Sequence, residues 1–110
     1  MVAGAVAACS DRPRPGPPRL SITLDETQVH SPDTLTGTLD ASDPDGIDSI
    51  WLTVDSTRAG DDGLLQENFG ERFALPVQSG HTPGFIVGVR LEARDVSGYT
   101  SSKDTSVVVF

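Results

Sequence analysis

Hydrophobic and polar residues alternate with a period of two through most of the chain after residue 19, as strands with one buried face require. Residues 20–24 (LSITL) set Leu20, Ile22 and Leu24 against Ser21 and Thr23, which predicts a first strand. Residues 28–30 are expected to resume pairing before Ser31-Pro32-Asp33 turns the chain. In residues 34–41, Leu35, Gly37, Leu39 and Ala41 alternate with Thr34, Thr36, Thr38 and Asp40. In residues 50–55, Ile50, Leu52 and Val54 alternate with Trp51, Thr53 and Asp55. These two runs read as strands clasped around an acidic turn, Ser42-Asp43-Pro44-Asp45-Gly46, in which Pro44 presets φ and Gly46 accepts a positive one.

The later chain keeps the pattern. Residues 56–63 are expected to be an exposed connection, and Leu64-Leu65 with Phe69 a short irregular strand. Residues 71–77 (ERFALPV) place Phe73, Leu75 and Val77 on one face. Pro76 cannot donate to a ladder and assigns that strand to an edge. Residues 78–84 form a turn-rich loop. The clearest strand is residues 85–95, with Phe85, Val87, Val89, Leu91 and Ala93 on one face and Gly88, Arg90, Glu92 and Arg94 on the other. Val96-Ser97-Gly98 turns the chain into a terminal strand, residues 102–110, whose VVVF end needs a partner if it is not to be a sticky edge. Turns at regular intervals and no helical period predict an all-β sandwich.

Composition narrows the picture. A chain of 110 residues has room for one domain and a tail. Its hydrophobic content of 36%, with one Trp, one Tyr and four Phe, leaves the core to Val, Leu and Ile. The net charge of -8 is unevenly spread: residues 1–19 carry Arg12, Arg14 and Arg19 against Asp11, a net of +2, so the remainder stands at -10. That balance repels phosphate and argues against nucleic acid as a partner. A single cysteine excludes an internal disulfide and paired-thiol zinc sites.

That cysteine has a distinctive setting. Val6-Ala7-Ala8-Cys9 is similar to the lipobox of bacterial lipoproteins, a branched aliphatic and two small residues before the cysteine. The resemblance implies cleavage before Cys9 and acylation of that residue, with residues 1–8 a truncated signal segment and the mature protein anchored in a membrane facing outside the cytoplasm. Residues 1–8 carry no Lys or Arg and are shorter than a working signal core. Residues 9–19, with four prolines and three arginines among them, read as an extended spacer within a disordered N-terminal tail.

Residues 34–55 followed by 84–102 (GFIVGVRLEARDVSGYTSS) resemble bacterial immunoglobulin-like and cadherin-like modules of cell-envelope proteins. Those modules repeat strand, Asp-rich turn, strand, and later an alternating strand ending in Ala-x-Asp-x-x-Gly, matched here by Ala93, Asp95 and Gly98. The likeness covers residues 20–110 and implies an immunoglobulin-like Greek-key sandwich of about seven strands, serving as spacer, adhesin or accessory domain.

Candidate chemistry is sparse. Asp40, Asp43, Asp45 and Asp48 cluster around one turn, and carboxylate oxygens suit Ca²⁺. In a sandwich of this topology Asp95 would fall at the same end. The spacing is not that of a helix-loop-helix calcium loop: with Asp43, Asp45 and Gly46 at its third, fifth and sixth positions, Ala41 and Leu52 stand where its outer carboxylates belong. His30 and His81 have no partner within their own segments and read as surface residues. Trp51 points away from Ile50 and Leu52 and is a candidate binding surface, unless an adjacent loop covers it. No nucleophile elbow, metal-histidine pair or phosphate loop is present. The expectation is a non-enzymatic module, lipid-anchored in the bacterial cell envelope, whose partner is a protein or glycan. A calcium-stabilised adhesive module and an accessory subunit of an envelope enzyme complex are the alternatives.

Overall fold

A computed structural model describes residues 16–110. The Cys9 site, the first residues of the spacer and the tail expectation lie outside that range, apart from residues 16–19. Seven strands are formed: β1 (Arg19–Leu24), β2 (Gln28–Val29), β3 (Asp33–Val54), β4 (Thr57–Asp61), β5 (Gln66–Val77), β6 (Ile86–Asp95) and β7 (Thr100–Val109). No described residue is helical.

The frame is β3, which runs for 22 residues and belongs to both layers. Its first part pairs antiparallel with β1 on one side and β5 on the other, through residues such as Leu39 with Ile22 and with Glu71. Its second part pairs antiparallel with β4 and β6, where Leu52 faces Ala59 and Leu91. β7 continues that layer antiparallel to β6, and β2 closes it by pairing parallel to β7. The result is an immunoglobulin-like sandwich of a three-stranded and a five-stranded layer, joined through β3.

The acidic segment is therefore not a hairpin turn. Residues 34–41 and 50–55 do not pair with each other; the chain crosses from one layer to the other between them. Pairing with β5 shifts register between Ser42 and Ile47, and pairing with β6 shifts between Ile47 and Ser49. Pro44 supplies no N–H to either ladder, and Gly46 takes φ +99° at the corner. Two such irregularities between Ser42 and Ser49 give the local bend that lets one strand change sheets.

Both layers contribute to one core. Leu35, Leu39 and Ala41 of the first part of β3 meet Ile50, Leu52 and Val54 of the second, with Val87, Val89, Leu91 and Ala93 of β6 and Val107 and Val109 of β7. Leu20, Ile22, Leu24, Phe69, Phe73 and Leu75 pack against this centre from the flanks. Pro76 sits in β5, which pairs only with β3 and is an edge strand. Other expectations are corrected. The connection 56–63 contains β4, and the two segments around Phe69 and Phe73 are one strand of 12 residues, because β3 offers a continuous ladder to pair with. Phe85 leaves the core face: it precedes β6, is 42% exposed, and stacks on His81. The VVVF end is paired with β6 through Val107 and Val108, while Phe110 projects 54% exposed and packs on His30.

The outer face of the three-stranded layer is pinned by an ion pair. Asp25, just after β1, accepts from Arg72 Nη1 at 2.9 Å and from Thr36 Oγ1 at 2.7 Å. Chiefly the Arg72 bond, with Thr36 second, holds its pKa down at about 2 against an ordinary 3.8. What stability this contributes is complete above pH 3.8 and disappears as pH falls through about 2. A side-chain carboxyl NMR titration should place Asp25 near 2, and Arg72→Ala should return it towards 3.8.

Candidate functional site

The crossing of β3 brings the acidic segment against the β6–β7 turn. Asp43, Asp45 and Asp95 each offer a carboxylate oxygen, and these oxygens all lie within 4.8 Å of one another. Asp43 and Asp95 are 2% and 1% exposed, while Asp45 faces solvent. Backbone parity accounts for the two buried groups. Asp43 continues the inward set Leu35, Leu39, Ala41, and Asp95 continues the inward set Val87, Val89, Leu91, Ala93.

Both buried carboxylates are held by local turns. Asp43 Oδ1 accepts from the Asp45 N–H at 2.8 Å. Asp95 Oδ1 accepts from the N–H groups of Ser97 and Tyr99, each at 2.9 Å. The two pieces are tied together by the Val96 N–H donating to the Gly46 carbonyl at 3.0 Å. Ser97 Oγ lies 3.4 Å from Asp45 Oδ2. The second oxygens, Oδ2 of Asp43 and Oδ2 of Asp95, are buried with no hydrogen-bond partner. Burial pushes the Asp43 carboxyl above the ordinary aspartate range; the Asp45 N–H bond pulls it down, and the facing Asp95 carboxyl adds to the upward push.

The other two aspartates of the expected cluster are elsewhere. Asp40 has outward parity, is exposed and lies beside Gly70. Asp48 is claimed by Arg94, whose Nη2 donates to it at 3.2 Å. Nothing in composition separated the five aspartates, but the alternation did contain the signal that sorts Asp43 and Asp95 inward and Asp40 outward.

Trp51 lies on the outer face of the second layer, half-buried. Among the described residues it is a strand residue, Arg58 of β4, that lies over its ring, at 4.7 Å from the centroid. A shallow depression of about 400 Å³ is lined by Trp51, Arg58, Arg90, Arg94, Ser101 and Ser102, among others. Arg90 is paired with Asp104 at 3.2 Å and Arg94 with Asp48. Among the described residues no carboxylate salt-bridges Arg58.

At the opposite end from the acidic corner, His81 is not the isolated surface residue expected. Its Nε2 is 2.8 Å from Asp55 Oδ2, and its ring stacks on Phe85 with centroids 4.0 Å apart. Asp55, in the β3–β4 turn at φ +56°, also accepts from the Gln78 N–H at 2.9 Å. Burial alone would raise the Asp55 pKa; the bonds from Gln78 and His81 outweigh it and lower it. This pair is distant in sequence, so local reading could not find it.

The fold and these two surfaces define a class, an all-β immunoglobulin-like sandwich module. Solved structures share it, among them the following two. The chain is similar to Spo0M, a sporulation control protein from Bacillus subtilis, with a TM-score of 0.59 and 13% identity over 86% of this chain and 49% of that one. It thus spans about half the length of Spo0M. It is also similar to the PKD domain of an M14-like peptidase from a Thermoplasmatales archaeon, with a TM-score of 0.54 and 18% identity over 86% of this chain and 94% of that domain. At these identities the likeness establishes the fold. No family model matches the chain, and no curated protein matches it in sequence.

Proposed function

We propose that the chain is a non-enzymatic binding and structural module of the bacterial cell envelope, carried on a lipid at Cys9 and presenting its Trp51 face to a protein partner. The observation that carries the binding part is the concentration of Trp51, Arg58, Arg90 and Arg94 on one sheet face of an otherwise acidic domain. Of the five basic residues after position 19, three are here. Tryptophan and arginine are the side chains most enriched at energetically dominant interface positions. Arg58 already occupies the ring face on which a sugar would stack, which favours a protein over a glycan. The envelope address is supported by the Val6–Cys9 pattern and the proline-rich spacer behind it.

The test is in-cell photocrosslinking from position 51, beside a control at Ala74, exposed on the outer face of the other layer. A discrete protease-sensitive adduct at 51, absent at 74 and lost with Arg58→Ala, is the expected result. Equal labelling at both positions, or an adduct removed by glycan-degrading enzymes and not by protease, would sink the protein reading. For the address, intact mass should show acyl groups on the wild type in the membrane fraction and none on a soluble Cys9→Ala. An unprocessed, soluble wild type would remove the anchor.

A further inference from the structure

We propose that Asp43, Asp45 and Asp95 form a binding site for a hard divalent cation of the Ca²⁺ class, which joins the corner of β3 to the β6–β7 turn. The inference is independent of the envelope reading. Clustered acidic residues alone would not carry it, since exposed carboxylates gather on many surfaces without a ligand. The decisive feature is that the Oδ2 atoms of Asp43 and Asp95 are buried and unpartnered at the place where the three carboxylates converge. An orphaned acceptor in the interior is costly and needs a positive group beside it.

The geometry accommodates an ion. Ca²⁺ binds oxygens at about 2.4 Å, so two of its ligands are at most about 4.8 Å apart. One oxygen from each aspartate lies within 4.8 Å of the others. The Oδ1 atoms of Asp43 and Asp95 are taken up by backbone N–H groups, which fixes both carboxylates in orientation. Asp45 is exposed and leaves one side open for entry and for water ligands. Among the described residues no lysine, arginine or histidine salt-bridges any of the three: Arg94, the guanidinium nearest in the ladder, is committed to Asp48. The competing occupant is a proton shared between Asp43 and Asp95. It would satisfy two oxygens and leave Asp45 without a role.

Binding would couple segments about 50 residues apart in sequence, across the point where β3 changes layers. With three carboxylates and an open side, the expected affinity is that of extracellular calcium modules, a dissociation constant of about 0.1–1 mM. The experiment is a thermal melt and a calorimetric titration of the full chain with CaCl₂, against NaCl of matched ionic strength. At 10 mM Ca²⁺ the wild type should melt about 5–10 °C higher than in the NaCl control. Asp45→Asn, at an exposed position, should fold normally and bind at least about tenfold more weakly. Asp43→Asn is the second variant: its side-chain oxygen still accepts from the Asp45 N–H, and its amide donates to Asp95. It should melt no lower than the wild type without cation and lose the calcium response. A wild type that responds equally to CaCl₂ and matched NaCl would overturn the proposal. So would a calcium response undiminished in both variants.

Discussion

Leu91→Ala should lower the urea midpoint of unfolding by about 2–3 M, at unchanged slope. Leu91 is fully buried at the middle of β6, in register with Leu52 on one side and at the centre of the layer whose neighbours are the second part of β3 and β7. Truncation removes its burial and leaves a cavity that antiparallel ladders on both sides prevent from collapsing. Substitutions of this kind cost about 3–4 kcal/mol. A domain of this size has a total stability of roughly 5–10 kcal/mol, so about half is at stake. Val96→Ala, at a 47% exposed turn position, is the control and should change stability by less than about 0.5 kcal/mol. Similar midpoints for the two variants would mean that the core is not built around β6.

Gly60→Ala should be the second large effect, despite adding only one methyl group to an exposed edge strand. A Cβ at Gly60 would collide with the Ile50 carbonyl oxygen, and would lie 2.6 Å from Cε3 and 2.9 Å from Cα of Trp51. The backbone cannot yield without breaking the pairing of Trp51 with Gly60, so β4 must peel from β3 at that point. The expected cost is about 1–3 kcal/mol. Because Trp51 is the only tryptophan, its emission should shift to the red as the ring and Arg58 lose their packing. Gly88→Ala, where an added methyl meets nothing within 4 Å, should be neutral or slightly stabilising. Unchanged Trp51 emission in Gly60→Ala would show that β4 does not support the binding face. That would also weaken the proposed role of Arg58.

The alternation of residues was enough to name the inward faces. Leu35, Leu39, Ala41, Ile50, Leu52, Val54, Val87, Val89, Leu91 and Ala93 follow from a period of two, because a strand has only two faces and water occupies one of them. The missing N–H of Pro76 placed its strand at an edge. The alternation also held the burial of Asp43 and Asp95, each one step beyond an inward run. The sheet in which each run lies could not be obtained this way. Residues 42–46 look like a hairpin turn because Asp, Pro and Gly suit any sharp bend, and local φ preferences do not say whether a chain reverses or changes layers. Only the ladders to β5 on one side and β6 on the other decided it. β4 was hidden because its residues, Thr57–Asp61, are nearly all exposed and are held by backbone pairing, which leaves no trace in hydropathy. The pairing of His81 with Asp55 and the meeting of Asp95 with Asp43 join residues 26 and 52 positions apart. Such contacts are set by how strands stack, not by what lies next to them in the chain. The sequence alone determined the class of fold and the make-up of its core. The tertiary structure decided which carboxylates share the corner and what covers Trp51, because both depend on the point at which β3 leaves one layer for the other.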